Sequence, residues 1–282
     1  MGIVPRRLIA SVFRRIGYKI ESIKSKDDSN LYQDYPLKSL KEKLFLNIGA
    51  GTFNHKYWTN VDYGSEQYAK VQNKFIELNL TEKPIFPFDN STIETIYSSH
   101  TIEHIDDESV KNMIEESFRI LKVGGVMRIT CPDASLLLNS IKHNVNTFWN
   151  WRHEWFIKNF DIKTSEIEIE DFLVRELSTA RCRFFEKVDE PLYPEKIKEK
   201  MNELSDEEFL QWMVEKNRFD KKNPQFHINY WTYEKLSNMC INAGFKTIYN
   251  SGFGQSLSPP MTNTKLFDNT HPVMSLYLEV RK

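Results

Sequence analysis

The run Leu44-Phe45-Leu46-Asn47-Ile48-Gly49-Ala50-Gly51 reads as a buried strand that ends on two glycines. Glycines at that point let a ligand come close to the backbone, and open α/β sheets bind ligands just beyond the carboxyl ends of their strands. Asn54 stands where a third glycine would complete G-x-G-x-x-G, which argues against a dinucleotide. Asn60-Val61-Asp62 then places an acid at the end of a second short strand, where a carboxylate can accept two hydrogen bonds from a ribose diol. An Asp after a strand is otherwise a plain turn residue; the glycine loop beside it favours the ligand role. Asp62 follows Gly51 by eleven residues, too few for a full crossover helix, so a single turn containing Tyr57 and Trp58 is expected between them.

These residues need a scaffold, and 282 residues allow one large domain or a domain with a substantial insertion. With 40% hydrophobic and 27% charged residues, the chain can bury a core and is not of disordered composition. Cys131, Cys182 and Cys240 are far apart without C-x-x-C spacing, which speaks against a disulfide framework or zinc ribbon and for a reducing cytoplasm. Residues 1–43 read as a basic amphipathic helix and a polar linker, 44–135 as an α/β core, 136–225 as a helical, aromatic insertion or cap, and 226–282 as the return to the core. In the core, Asp106 or Asp107 can cap a helix with Val110, Met113, Ile114, Phe118 and Leu121 on one face, ended by Gly124-Gly125 before a strand over Val126–Thr130. In the insertion, Ser205 and Glu208 make a capping box. The return holds a helix through Leu236 and Cys240 that stops at Gly244, then strands over Phe245–Tyr249 and Ser275–Val280.

Taken in order, LFLNIGAG, the compressed WTNVDY, LNLTEKPIFPFDNSTIETIYSSHTIEHI and SFRILKVGGVMRITCPD resemble a class I S-adenosylmethionine-dependent methyltransferase of the methyltransferase type 11 kind. The similarity is greatest to the branch found with bacterial surface-polysaccharide genes. HINYWTYEKLSNMCINAGF and SLYLEV resemble the same family's carboxyl-terminal helix and reversed strand hairpin. The resemblance implies an α/β, Rossmann-like seven-stranded sheet with a helical cap and a C-terminal antiparallel hairpin, and S-adenosylmethionine as cofactor. It further implies that Gly49 and Gly51 lie against the cofactor's amino acid portion and that Asp62 binds the ribose. Asn79 and Leu80 flank the adenine, with Asn79 in place of the commoner Asp, and Ser99 and His100 sit beside the sulfonium. Asn47 replaces an acid that orients the cofactor's ammonium in many relatives, a loss of about 1–2 kcal/mol by the difference between charged and neutral hydrogen bonds.

Methyl transfer to oxygen requires an aligned acceptor and, where a proton leaves, a base. His100 is the better base candidate; for Glu103 and His104, capping the following turn is an equal reading. H-T-I-E-H lacks the spacing and helical context of a zincin, and no metal is expected. Asp133 faces the acceptor mouth or caps the helix after it, and His227 in FHINYW reaches the same mouth or is structural. Phe148, Trp149, Trp151, Trp155, Phe156 and Phe160 surround Arg152 and His153. Stacking on a sugar with Arg152 on an anion is the functional reading, and core packing the simpler one for most of them.

Lys+Arg 38 against Asp+Glu 39 leaves no global field for nucleic acid, and there is no N-P-P-Y or D-P-P-Y tetrapeptide for planar nitrogens. A sugar or glycan-precursor hydroxyl is the preferred acceptor, on the resemblance alone. The rival of a different class is a catalytically weak cofactor-binding scaffold. Its anchor would be residues 1–20, whose Arg6, Arg7, Arg14, Arg15 and Lys19 suit the inner face of a membrane, a partner protein or the chain's own domain. A nicotinamide oxidoreductase is disfavoured by the missing third glycine and the early Asp62.

Overall fold

Short runs rich in β-branched, aromatic and aliphatic residues form seven strands: β1 (Phe45–Ile48), β2 (Trp58–Asp62), β3 (Ile76–Glu77), β4 (Ile93–Ser99), β5 (Leu121–Pro132), β6 (Thr247–Asn250) and β7 (Ser275–Arg281). The computed structural model describes residues 28–64, 75–160, 162–186, 188 and 190–282; the amphipathic stretch expected over residues 1–20 lies outside them. The chain divides into two units, Met1–Tyr35 and Pro36–Lys282. In the first, Ser29–Tyr32 makes one 3-10 turn; the second carries all seven strands.

The strands form a single sheet in the order β3-β2-β1-β4-β5-β7-β6, parallel except for β7, which runs antiparallel to both β5 and β6. This is a Rossmann-like seven-stranded sheet with a reversed C-terminal hairpin. All four residues of β1 are buried, as a central strand covered on both faces requires. The order reverses between β1 and β4, and such a switch point leaves a crevice beyond the strand ends.

Eight helices accompany the sheet among the described residues of the second unit: α1 (Leu37–Lys41), α2 (Asp107–Ile120), α3 (Ala134–Lys142), α4 (Asn150–Asn159), α5 (Ile169–Leu177), α6 (Pro194–Glu203), α7 (Asp206–Val214) and α8 (Tyr233–Asn242). Asp106 caps α2 by accepting from the Ser109 N–H at 2.8 Å, and Val110, Met113 and Ile114 pack it onto the sheet. Helices α3 to α7 enclose a second core around Leu137, Trp149, Phe156, Leu173 and Phe209. Trp149 and Phe156 are thus packing residues, and Arg152, itself buried, pairs with Glu176 at 2.5 Å. The Ser205–Glu208 capping box starts α7.

Three expected boundaries differ. Trp58 opens β2 and is not in a turn, because its indole packs against Phe45 and Phe267. Leu121 begins β5, since it pairs with Ile93 of β4, so α2 ends at Ile120 and Gly124, at φ +83°, sits within the strand as a kink. The sixth strand starts at Thr247, leaving Phe245 in the core beside Phe118.

Candidate active site

A cleft of about 690 Å³ opens at the carboxyl ends of β1, β2, β3 and β4. Its volume is that of a small-molecule site. Asn47, Gly49, Gly51, Asp62, Asn79, Leu80, Ser99 and His100 all line it, so four strand ends bring together every residue assigned to the cofactor from the sequence.

The loop after β1 depends on left-handed backbone at Gly49 (φ +69°) and Gly51 (φ +52°). A Cβ on Gly49 would lie 2.1 Å from Thr101 Oγ1, which fixes how closely this loop meets the one after β4. A Cβ on Gly51 would meet nothing within 4 Å. The Gly51 N–H donates to Asp62 Oδ2 at 2.6 Å and the Tyr63 N–H to Oδ1 at 2.7 Å, so the carboxylate orders the loop that it faces. Asn60, on β2, secures the same loop by donating to the Phe53 carbonyl at 2.6 Å. Asn79 caps a 3-10 turn through the Thr81 N–H at 3.1 Å, which holds Leu80 against the cleft.

His100 takes a left-handed conformation (φ +50°) at the end of β4, its N–H donating to the Thr130 carbonyl at 2.8 Å. The ring sits between two oxygens: Nδ1 is 3.0 Å from Glu103 Oε1, and Nε2 is 2.8 Å from Ser275 Oγ. The Ser275 hydroxyl also lies 2.8 Å from the His271 carbonyl, which can only accept. The hydroxyl hydrogen can therefore point to His271 while Nε2 carries a proton, or to His100 while Nε2 offers a lone pair. Glu103 is 1% exposed; burial pushes its pKa up, but the neighbouring His100, His104 and His227 outweigh this and hold it down to about 2. His104 lines the cleft and donates from Nδ1 to the Phe226 carbonyl at 3.1 Å.

Asp133 and His227 do not line the cleft. Asp133 caps α3, accepting from the Leu136 N–H at 3.1 Å, and burial raises its pKa. His227 is buried behind His104, their ring centroids 4.8 Å apart, and gives its Nδ1 hydrogen to the Glu176 carbonyl at 2.6 Å. Burial, with the charge of His104 next, pushes its pKa well below the ordinary value.

Sequence reasoning missed the wall opposite the glycine loop, where Lys265, Leu266, Asn269 and Thr270 line the cleft. Fully buried Arg128 of β5 anchors that segment. Its Nε and Nη2 donate to Asp268 at 2.9 and 2.6 Å, and Nη1 reaches Glu279 at 3.2 Å, Ser251 Oγ at 2.9 Å and the Gln255 carbonyl at 2.8 Å. Burial lowers the guanidinium pKa, yet Asp268 and Glu279 more than restore it. A lone arginine in the strand pattern VMRITC was the only signal. Phe219, Pro224 and Gln225, which follow α7, complete the mouth.

Residues 47–129 match the family model of the methyltransferase domain. No curated protein matches the chain. Among solved structures, a SAM-dependent methyltransferase from Archaeoglobus fulgidus is 11% identical, with 99% of this chain and 95% of that one covered and a TM-score of 0.41. One from Mesorhizobium loti is 12% identical over 84% and 90%, at 0.39, and one from Thermotoga maritima 14% identical over 84% and 81%, at 0.38. The domain match implies S-adenosylmethionine as the cofactor. The cleft fits it: the open side of Gly51 leaves backbone accessible, and an acid stands at the end of β2.

Proposed function

We propose that the chain transfers a methyl group from S-adenosylmethionine to a hydroxyl of a sugar or glycan precursor. The observation that carries this reading is one continuous cleft that joins the glycine turns and Asp62 to His100 and to a mouth of amides and hydroxyls. When bound, the cofactor supplies an electrophilic methyl on a sulfonium. Gly49 and Gly51 let the backbone approach its amino acid end, and Asp62 accepts from the ribose hydroxyls. Asn47 offers a neutral acceptor to the ammonium. Leu80 packs on the adenine and Asn79 holds the turn that presents it. Ser99 and His100 face the sulfonium.

On the acceptor side, Asn54, Gln225, Asn269 and Thr270 supply donors and acceptors suited to a polyhydroxylated molecule. While the Ser275 hydroxyl points to His100, Nε2 of a neutral ring holds a lone pair; as Nε2 takes a proton from the acceptor the hydroxyl turns to His271, and the Glu103 carboxylate beside Nδ1 stabilises the resulting imidazolium. His104 supports that corner of the cleft. Asp133 acts through α3, whose start it fixes, and His227 through His104.

The test is transfer of a labelled methyl from S-adenosylmethionine to a panel of nucleotide-sugars and glycosides, with amines as the contrasting class. Label in an alkali-stable ether on a sugar is expected. Label confined to amines would replace the acceptor class, and a wild-type rate in His100→Asn would remove the base role.

A further inference from the structure

Beneath His100, outside the arrangement used for the cofactor, Glu103, His104 and His227 converge. Each offers one oxygen or nitrogen, and these three atoms all lie within 4.8 Å of one another. No local spacing marks this grouping, because His227 is 123 residues from His104 and enters on the segment that returns from the helical insertion. That segment is locked in place: the Ile228 N–H donates to the Glu103 carbonyl at 2.8 Å, and the His227 N–H to Thr179 Oγ1 at 3.1 Å.

The hydrogen bonds around the cluster decide what it can hold. Backbone carbonyls can only accept, so the Nδ1 atoms facing Phe226 and Glu176 carry hydrogens. Each ring then offers Nε2 as its remaining nitrogen, and His104 Nε2 is 4.0 Å from Glu103 Oε1. Both carboxylate oxygens are sealed from solvent; His100 Nδ1 stands 3.0 Å from Oε1, and Oε2 has no hydrogen-bond partner among the described residues. In the neutral state of the two rings, a buried anion and two lone pairs face one another with no donor between them. Buried acceptors left so are costly, and a cation at their centre would satisfy all three. Histidines that ligate a metal through one nitrogen commonly donate the other N–H to a backbone carbonyl, as both do here.

We propose that Glu103, His104 and His227 form a binding site for a divalent transition-metal ion, zinc in the first instance, at the floor of the acceptor side of the cleft. Two imidazoles and one carboxylate select such an ion over magnesium or calcium, which prefer all-oxygen sites. An ion central to atoms so spaced lies within about 2.8 Å of each, so each ligand moves inward by at most roughly 0.8 Å to reach the usual 2.0–2.2 Å. Three protein ligands leave a position open, and His104, the one ligand lining the cleft, places that position toward it. His100 is a positioning residue for the site, since its ring stands against Glu103. A bound ion would also suit an oxygen acceptor, whose hydroxyl it could hold and acidify. That role rests on the methyltransferase reading; the binding itself does not.

The test uses the full chain stripped with chelator and dialysed against micromolar Zn(II), with bound metal counted by mass spectrometry. One zinc per chain is expected, together with a rise in thermal midpoint that EDTA reverses. Replacing zinc by Co(II) should give visible d–d bands of a nitrogen and oxygen site without thiolate charge transfer. His104→Gln, at a partly exposed position, and His227→Gln should each lose the stoichiometric zinc while keeping the wild-type circular dichroism. His100→Gln should weaken zinc by about 10- to 100-fold, as loss of an orienting partner does. Folded wild-type protein that takes up no zinc, or a folded His104→Gln variant that binds it as tightly as wild type, would overturn the site. Titration of the same samples with S-adenosylhomocysteine reports the cofactor reading separately, so failure of one is distinguishable from failure of the other.

Discussion

Replacing Arg128 by Met removes the cation that pairs with two fully buried carboxylates, Asp268 and Glu279, while keeping most of the side-chain volume. The guanidinium offsets the desolvation of both acids, alongside the Gly254 N–H on Asp268 and the Leu257 N–H on Glu279. Breaking a buried pair by removing one partner costs about 3–5 kcal/mol, and here the two acids share one partner, so the upper half of that range is expected. The readout is urea unfolding by circular dichroism, with the midpoint lowered and the slope unchanged. Converting Asp268→Asn and Glu279→Gln in the same chain removes the unpaired charge and should recover more than half of the loss, a coupling expected of groups in one network. An Arg128→Met chain within about 1 kcal/mol of wild type, or a triple variant no more stable than the single one, would show that the network does not hold this wall. Because Lys265, Leu266, Asn269 and Thr270 line the cleft, acceptor KM should rise in any variant that weakens the anchor.

Asp62→Ala removes a carboxylate that could make two charge-assisted hydrogen bonds of about 1.5–3 kcal/mol each, so S-adenosylhomocysteine affinity should fall by at least about 100-fold in calorimetry. A change under threefold would take Asp62 out of the site. Gly49→Ala forces an alanine into left-handed backbone, at about 1–2 kcal/mol, and pushes its Cβ into Thr101. Thermal unfolding should show the loss, with Thr101→Ala in the same chain relieving part of it; an unaltered midpoint in the single variant would contradict the close approach. Asp133→Ala should cost about 1 kcal/mol as a lost helix cap and leave methyl transfer within twofold. A tenfold fall in turnover at unchanged stability would restore its contact with the acceptor.

The convergence of the glycine loop, Asp62, Leu80 and His100 on one cleft was legible because these residues lie within three positions of strand ends. Glycines after β1 and an acid after β2 report backbone geometry directly, and strand ends at a switch point must converge. A cap at Asp106 or Asp107 and the Ser205 capping box followed from local capping rules, and core packing was the simpler reading for most of the aromatic run that includes Trp149 and Phe156. What failed to show was non-local. Trp58 looked like a turn residue until Phe267 supplied its packing partner, and Leu121 looked helical until β4 supplied a strand for it to pair with. Arg128, Asp268 and Glu279 are separated by up to 151 residues, and a polar residue in a strand carries no mark of a buried partner. For Asp133 and His227 the sequence left the mouth and a structural role open; the cap on α3 and the Glu176 carbonyl show the structural role of each.

The central claim is that the cleft at the ends of β1, β2 and β4 holds the nucleoside and amino acid portions of S-adenosylmethionine. Calorimetric titration of the wild-type chain with S-adenosylhomocysteine, with NAD as the contrasting ligand, tests it most directly. Binding at one equivalent with a micromolar dissociation constant, and none of NAD, is the expected result. Folded protein that shows no heat of binding with S-adenosylhomocysteine, or that prefers NAD, would contradict it.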